Sequence, residues 1–97
     1  MLMAQVTPYD DKIISYMRQH GAEKVGVFGS YARNEANADS DLDLMVWFKD
    51  QKSLLGMIRI ERELSELLGV KIDLLTEQAV SPYLIDRITQ ELKVISP

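Results

Sequence analysis

Apolar residues recur along the chain with two periods, which alternate from one segment to the next. Spacings of three and four residues predict helices, whereas alternating or continuous apolar runs predict strands. The resulting order, αβαβαβα, predicts an α/β (α+β) fold in which a sheet of three or four strands is flanked by helices. Because the segment between the first two strands is short, it does not require a parallel crossover, and a mixed sheet is expected.

Capping residues and glycines indicate where these elements begin and end. The predicted helices run from Thr7-Pro8 to His20-Gly21, from Ser30 for one short segment, from Ser53 to Gly69, and onward from Ser81-Pro82. The predicted strands are residues 24–28, 41–48 and 70–75, and residues 93–95 are a candidate edge strand. The stripe of the third helix is predicted to comprise Leu54, Met57, Ile58, Glu61, Leu64 and Leu68.

Composition narrows the class of protein. A chain of 97 residues, 46% of them hydrophobic, predicts a single domain over residues 1–97. The absence of cysteine excludes disulfides and thiolate metal sites. No apolar run reaches the length of a membrane span, and a cytoplasmic protein is expected. The net charge of −4 argues against a nucleic-acid partner and favours a divalent cation as the partner of the carboxylates.

Two acids at the start of the second predicted strand form the first candidate site. Side chains two residues apart on a strand share a face, so Asp41 and Asp43 project together while the intervening leucines face the core. Adjacent carboxylates repel each other, and Mg²⁺ is a natural cation to neutralise them. The alternative is that both acids, with Asp39, belong to the solvated turn before the strand.

A glycine-serine pair lies between the first strand and the short helix. Gly29-Ser30 permits a tight turn whose amides and hydroxyl face an anion such as phosphate, although an ordinary turn explains the pair as well. Ten residues separate the pair from Asp41, so a phosphate binder and a metal pair would come from adjoining elements. A nucleoside triphosphate binds both at once.

A third acid, Asp73, lies within the strand predicted at residues 70–75, on the face opposite to the apolar residues. A carboxylate inside such a strand needs an ion pair or a cation. Lys71 shares its face and is the alternative partner. Beside Asp41 and Asp43, a metal site is the favoured interpretation.

These residues, "GSYAR…SDLDL" followed by one aspartate on a later strand, resemble the nucleotidyltransferase superfamily of DNA polymerase beta, and its minimal branch in particular. The resemblance implies transfer of a nucleoside monophosphate from a nucleoside triphosphate to an acceptor hydroxyl, with pyrophosphate leaving. It implies that Gly29 and Ser30 hold the β- and γ-phosphates. Asp41 and Asp43 would bind two Mg²⁺ ions, and Asp73 would bind the ion that activates the acceptor and take the acceptor's proton.

Three further side chains have alternative interpretations. Arg33 either reaches the triphosphate or a partner's carboxylate, or forms a salt bridge with Asp41 or Glu35. Trp47, on the face of the acids, either stacks on a base or takes a core or interface position. Asn34 stands where many relatives have glycine, and asparagine tolerates the left-handed backbone conformation that glycine favours.

The resemblance also implies a partner. Minimal relatives act with a separate helical protein of the HEPN type, and the nucleotidyltransferase is the antitoxin that AMPylates this toxin. The expected function is therefore that of an ATP- and Mg²⁺-dependent protein adenylyltransferase. The alternatives are an antitoxin that neutralises its partner by contact alone, and a transferase that acts on a small molecule.

Overall fold

The computed structural model describes residues 5–96, which form helices and strands in the predicted order. Helices α1 to α4 are Asp10–Gln19, Gly29–Ala32, Leu54–Leu68 and Pro82–Glu91. Strands β1 to β4 are Ala22–Phe28, Leu42–Phe48, Ile72–Leu75 and Lys93–Ser96, and a 3₁₀ turn covers Glu77–Ala79. The candidate edge strand is confirmed as β4. The single-domain prediction over residues 1–97 includes residues 1–4 and 97, which lie outside the described range.

The four strands form one mixed sheet in the order β3-β2-β1-β4. Strand β1 is antiparallel to both β2 and β4, and β2 is parallel to β3. Parallel neighbours need a long crossover, which α3 supplies. The antiparallel step from β1 to β2 needs no crossover, and only α2 and a loop occupy it. The expectation of a mixed sheet is therefore confirmed.

One face of the sheet carries the hydrophobic core, together with α1 and α3. The buried residues of this core that lie on these two helices and on the strands are Ile13, Met17, Ala22, Val25, Val27, Leu42, Leu44, Val46, Ile60, Leu64, Leu68, Ile72, Leu74 and Ile95. Strand residues alternate between the two faces. The residues between these core positions therefore point to the opposite face, where the candidate acids lie. Within residues 5–96, no helix combines the length and apolar character that a membrane crossing requires.

The predicted stripe of α3 is only partly correct. Leu64 and Leu68 are buried as expected, and they share a row with Ile60. Leu54 and Ile58 are instead 77% and 51% exposed. Residues two apart on a helix point about 200° away from each other, so burial of Ile60 turns Ile58 towards solvent.

The helix starts follow the capping prediction in two of four cases. Ser53 Oγ accepts a hydrogen bond from the Gly56 N–H, and Ser81 Oγ accepts one from the Tyr83 N–H. The predictions for Thr7 and Ser30 are wrong, because α1 begins at Asp10 and α2 begins at Gly29 without a side-chain cap. The buried Asp10 carboxylate accepts bonds from the Thr7 N–H and hydroxyl, which holds the preceding turn instead.

Replacement of Leu64 by alanine is expected to lower the free energy of unfolding by about 2–5 kcal/mol, because the leucine side chain is fully buried in the core. Leu67→Ala is the matched control on the same helix, since Leu67 is 50% exposed and should contribute less than about 1 kcal/mol. Urea unfolding followed by circular dichroism measures both. Equal losses in the two variants would contradict the placement of the core.

Candidate active site

The three predicted acids lie on the open face of neighbouring strands β2 and β3. Asp43 and Asp73 are direct partners in the parallel register of these strands, so their side chains leave the sheet on the same face. Asp41 immediately precedes β2, and it lines the same cavity as Asp43. The residue between them, Leu42, is completely buried on the other face. The predicted clustering of the acids is thus present in the fold.

Asp43 is the most perturbed member of this group. Partial burial, followed by the negative charges of Asp73 and then Asp41, raises the pKa of Asp43 from 3.8 to about 6. The guanidinium of Arg33 acts in the opposite direction. Negative charge is therefore in excess at this point of the sheet, as is common at functional sites.

The glycine turn is in direct contact with this acid. Phe28, the last residue of β1, pairs with Asp43 across the antiparallel ladder, so the turn that follows lies beside the Asp43 side chain. Gly29 has φ = +71°, and a Cβ at this position would overlap Asp43 Oδ2 and lie 3.0 Å from its Cγ. Only glycine suits both the backbone conformation and the space. Gly29 and Asp43, which are far apart in the motif, therefore form one site.

An open cavity of ≈ 550 Å³ joins the turn and the acids. Its lining combines the predicted residues with side chains from α4: Phe28, Gly29, Ser30, Arg33, Asp39, Asp41, Asp43, Leu84, Arg87, Ile88 and Glu91. Asp73 is not part of this lining and stands beside Asp43 at the margin. The structure thus brings five of the six predicted site residues into one cavity, with the sixth adjacent.

Arg33 is held by two carboxylates. Its guanidinium forms a 3.1 Å ion pair with Glu35, as one alternative predicted, and a 2.9 Å ion pair with Glu91, which the sequence did not indicate. The alternative pairing of Arg33 with Asp41 is not found among residues 5–96. Asn34 follows with φ = 60°, so the left-handed conformation expected at this position is confirmed.

Sequence reasoning missed Glu91. Its carboxylate also accepts a hydrogen bond of 3.3 Å from the Gly29 N–H, 62 residues away along the chain. One signal was available: an acid in the last turn of a helix is unfavourable next to the negative end of the helix dipole, so it needs another partner. Arg87, one turn earlier, lines the cavity as well and was missed too.

Three other expectations concern residues near the acids. Asp39 belongs to a turn, as predicted, since its N–H donates to Asn37 Oδ1, although it also lines the cavity. The alternative prediction that Lys71 pairs with Asp73 is wrong, because no salt bridge joins these two residues in the described range. Trp47 is half-buried, and its indole N–H donates to a carboxylate oxygen of the 3₁₀ turn at 2.7 Å, away from the acidic cavity.

The acids share a face without surrounding a common point. Within residues 5–96, no three histidine, cysteine, aspartate or glutamate side chains are placed so that they could hold a metal ion together. The donor set nevertheless suits Mg²⁺, which prefers carboxylate oxygens and retains several waters. The raised pKa of Asp43 indicates negative charge that a cation would relieve. Side-chain rotation would be needed to bring the carboxylates to one ion.

Comparison with known proteins agrees with this arrangement. Residues 11–96 match the family described as polymerase beta nucleotidyltransferase. The chain belongs to this family. A Methanocaldococcus jannaschii protein provisionally named a protein adenylyltransferase is 46% identical over 80 residues, which are 82% of this chain and 86% of that protein.

Solved structures share the fold of this nucleotidyltransferase. A toxin-antitoxin crystal structure with AMP-PNP superposes with a TM-score of 0.81 at 23% identity, covering 89% of this chain and 71% of that one. A complex of tri-AMPylated Shewanella oneidensis HEPN toxin with MNT antitoxin superposes with a TM-score of 0.75 at 20% identity, covering 94% and 71%. At these identities the likeness establishes the fold, which is the one that the sequence predicted.

Gly29→Ala in this nucleotidyltransferase is expected to cost about 1–2 kcal/mol more stability than Gly21→Ala. Both glycines have left-handed φ angles, +71° and +83°, but an added Cβ at Gly21 meets nothing within 4 Å. The control therefore measures backbone strain alone, and the excess measures the overlap with Asp43. Chemical unfolding gives both values, and Asp43→Ala in the Gly29→Ala background should recover most of the excess. Equal losses at the two glycines would refute the contact.

Asp43→Asn is expected to stabilise the metal-free protein at pH 7.5 by about 1 kcal/mol. The folded pKa lies above the ordinary value of 3.8, so the folded state binds the proton more tightly and stability falls as the pH rises from about 4 to about 6. The full shift would correspond to about 3 kcal/mol, which solvent screening of this half-buried group reduces.

The stability difference between Asp43→Asn and the wild type should shrink as the pH falls towards 4, when Asp43 is protonated in the folded protein. Thermal unfolding in EDTA over this pH range measures it. Asp50→Asn, at an exposed acid after β2, is the control and should change stability by less than about 0.5 kcal/mol at any pH. A destabilised Asp43→Asn variant at pH 7.5 would contradict the electrostatic interpretation.

Proposed function

We propose that this nucleotidyltransferase transfers AMP from ATP, with Mg²⁺, to a hydroxyl of a partner protein, and that it is the antitoxin of a HEPN toxin. The observation that carries the proposal is the contact between the Gly29 turn and Asp43, with Asp73 in register beside it. This contact joins a backbone suited to phosphate with a group of carboxylates suited to a cation. A nucleoside triphosphate with its metal ion requires both.

The donor end of the site would bind the triphosphate. The Gly29 N–H and the Ser30 hydroxyl would donate to the β- and γ-phosphate oxygens, because no side chain keeps the ligand away from the Gly29 backbone. Arg33, half-exposed at the same cavity, would pair with a phosphate oxygen in a charge-assisted hydrogen bond. These groups would orient the α-phosphorus towards the acids.

The acidic group would hold two Mg²⁺ ions, with Asp41 and Asp43 binding both and Asp73 one. When bound, the ions would supply the positive charge that stabilises the attacking and leaving oxygens of an in-line displacement. The excess negative charge around Asp43 favours such binding. Most of the catalysis in a transfer of this kind comes from positioning and charge neutralisation.

The transfer itself forms a bond between the acceptor oxygen and the α-phosphorus and breaks the bond from the α-phosphorus to the bridging oxygen. Pyrophosphate leaves with the electron pair of the broken bond. The acceptor proton would pass to Asp73, which is exposed at the margin of the cavity and so accessible to a hydroxyl of another protein.

The partner assignment rests on relatives. The Methanocaldococcus jannaschii protein is named for adenylyl transfer to protein, and the two structural neighbours are toxin-antitoxin complexes, one with AMP-PNP and one with a tri-AMPylated HEPN toxin. These names support adenylyl transfer to a HEPN protein as the reaction of this chain. An ATP-dependent reaction of this kind would take place in the cytoplasm, where ATP is available.

Incubation with ATP, Mg²⁺ and the proposed HEPN partner protein is expected to add AMP to that protein, detected as a mass increase by intact mass spectrometry. Asp43→Asn should reduce the rate at least about 100-fold, because it removes a central carboxylate of the acidic group. Asp50→Asn, remote from the cavity, should retain the wild-type rate. Absence of the modification with wild-type protein would refute the adenylyl transfer.

The same two proteins can also show whether the toxin is neutralised by AMP transfer or by contact alone. If AMP transfer is the function, a variant with alanine at Asp41, Asp43 and Asp73 should bind the partner without neutralising its toxicity in growth assays. Full neutralisation by this triple variant would favour the contact mechanism instead.

A further inference from the structure

A carboxylate of the chain itself already engages the donors of the glycine turn. Glu91 Oε2 accepts the hydrogen bond of 3.3 Å from the Gly29 N–H, while Glu91 Oε1 forms the 2.9 Å ion pair with Arg33. Two oxygens of one anion thus bind two donors together. A terminal phosphate group, with its several oxygens, would bind the same pair of donors in the same way.

We propose that Glu91 is an internal competitor for the phosphate position, whose carboxylate occupies the Gly29 and Arg33 donors until a polyphosphate displaces it. The inference rests on the proposed function, which assigns these two donors to the triphosphate. A single N–H has one strong acceptor at a time, and two anions on the same donors repel each other. In the structure, the Glu91 carboxylate therefore occupies the position proposed for a phosphate group.

The contact of Glu91 is weak enough to be exchanged. The Arg33 and Glu91 side chains remain 45% and 25% exposed, and ion pairs with this much solvent contribute little. The hydrogen bond from the Gly29 N–H, at 3.3 Å, is longer than the usual N–H···O distance. A polyphosphate carries several charges and would bind the same donors more strongly than one carboxylate does.

The position of Glu91 in the fold keeps its carboxylate near the site. The next residue, Leu92, packs against Gly26 so closely that a Cβ there would lie 2.6 Å from Leu92 Cδ1. Strand β4 follows and pairs with β1. The backbone of Glu91 is thereby fixed beside the cavity, and rotation of its side chain suffices to release the donors. Competition is consequently intramolecular and present at any protein concentration.

The test uses inorganic tripolyphosphate, which isolates the phosphate position from the base, the metal and the acceptor. Its binding to the full chain is measured by isothermal titration calorimetry in EDTA at 150 mM salt, where exposed charges beyond roughly 8 Å are screened. Glu91→Gln should bind about fivefold more tightly than the wild type, because the charged competitor is gone while the size of the side chain is kept.

Two controls separate competition from other effects of lost charge. Glu35→Gln removes the second carboxylate that pairs with Arg33. The Glu35 carboxylate, unlike that of Glu91, does not accept the Gly29 N–H. Asp39→Asn removes a negative charge from the cavity lining without touching either donor. Both should change the tripolyphosphate affinity less than twofold.

A direct readout comes from the ¹H–¹⁵N resonance of Gly29. In Glu91→Gln this resonance should be shifted before ligand is added, and tripolyphosphate should move it in every variant that binds. A structural role of Glu91 alone would change stability without shifting the affinity for tripolyphosphate. Thermal unfolding of each variant shows whether the fold is retained.

The competitor proposal is overturned if Glu91→Gln binds tripolyphosphate no more tightly than the wild type, or if Asp39→Asn tightens binding equally. It is also overturned if no variant binds the anion. Each of these results is separate from AMP transfer to the partner, which tests the proposed function. If Glu91→Gln binds tripolyphosphate more tightly but the wild-type protein transfers no AMP, the competition is supported and only the transferase assignment is refuted.

Discussion

The site depends on the close approach of the Gly29 backbone to the Asp43 carboxylate. The antiparallel register pairs Phe28 with Asp43, so the turn that ends β1 must pass directly beside this acid. A side chain at Gly29 would overlap the carboxylate, and the left-handed φ angle there is unfavourable for other residues. A strand register and a single glycine together place the backbone of this turn against the acidic group.

The acidic group is electrostatically unfavourable by itself. Asp43 and Asp73 project from one face of two neighbouring strands, and Asp41 immediately precedes β2. Burial, together with the repulsion from Asp73 and Asp41, raises the pKa of Asp43 to about 6. The concentration of negative charge at this point lowers the stability of the folded protein, and such concentrations are common at catalytic sites. Arg33 lies close enough to oppose the repulsion, but it is shared with Glu35 and Glu91. The negative charge of the acidic group is therefore only partly compensated, and the proposed metal ions would neutralise the rest.

Local patterns predicted most of the fold because each element carries its own signals. Ser53 and Ser81 cap their helices as expected, and apolar alternation located the strands within two residues. The stripe of α3 was less predictable, because its apolar residues lie on more than one side. Glu61 belongs to that stripe for a reason that the pattern does not contain: its carboxylate accepts the Leu74 N–H of edge strand β3 at 2.9 Å.

The sequence by itself determined that Asp41 and Asp43 share a face and that glycine ends β1, because the two-residue period of a strand and the backbone freedom of glycine are local properties. Only the tertiary structure decided that Asp73 stands opposite Asp43 and that Glu91 reaches the Gly29 turn. Strand order and register place Asp73 beside Asp43, and the packing of α4 and β4 against β1 places Glu91 at the Gly29 turn. Both are contacts between residues remote in the chain, and side-chain packing across the whole sheet selects them.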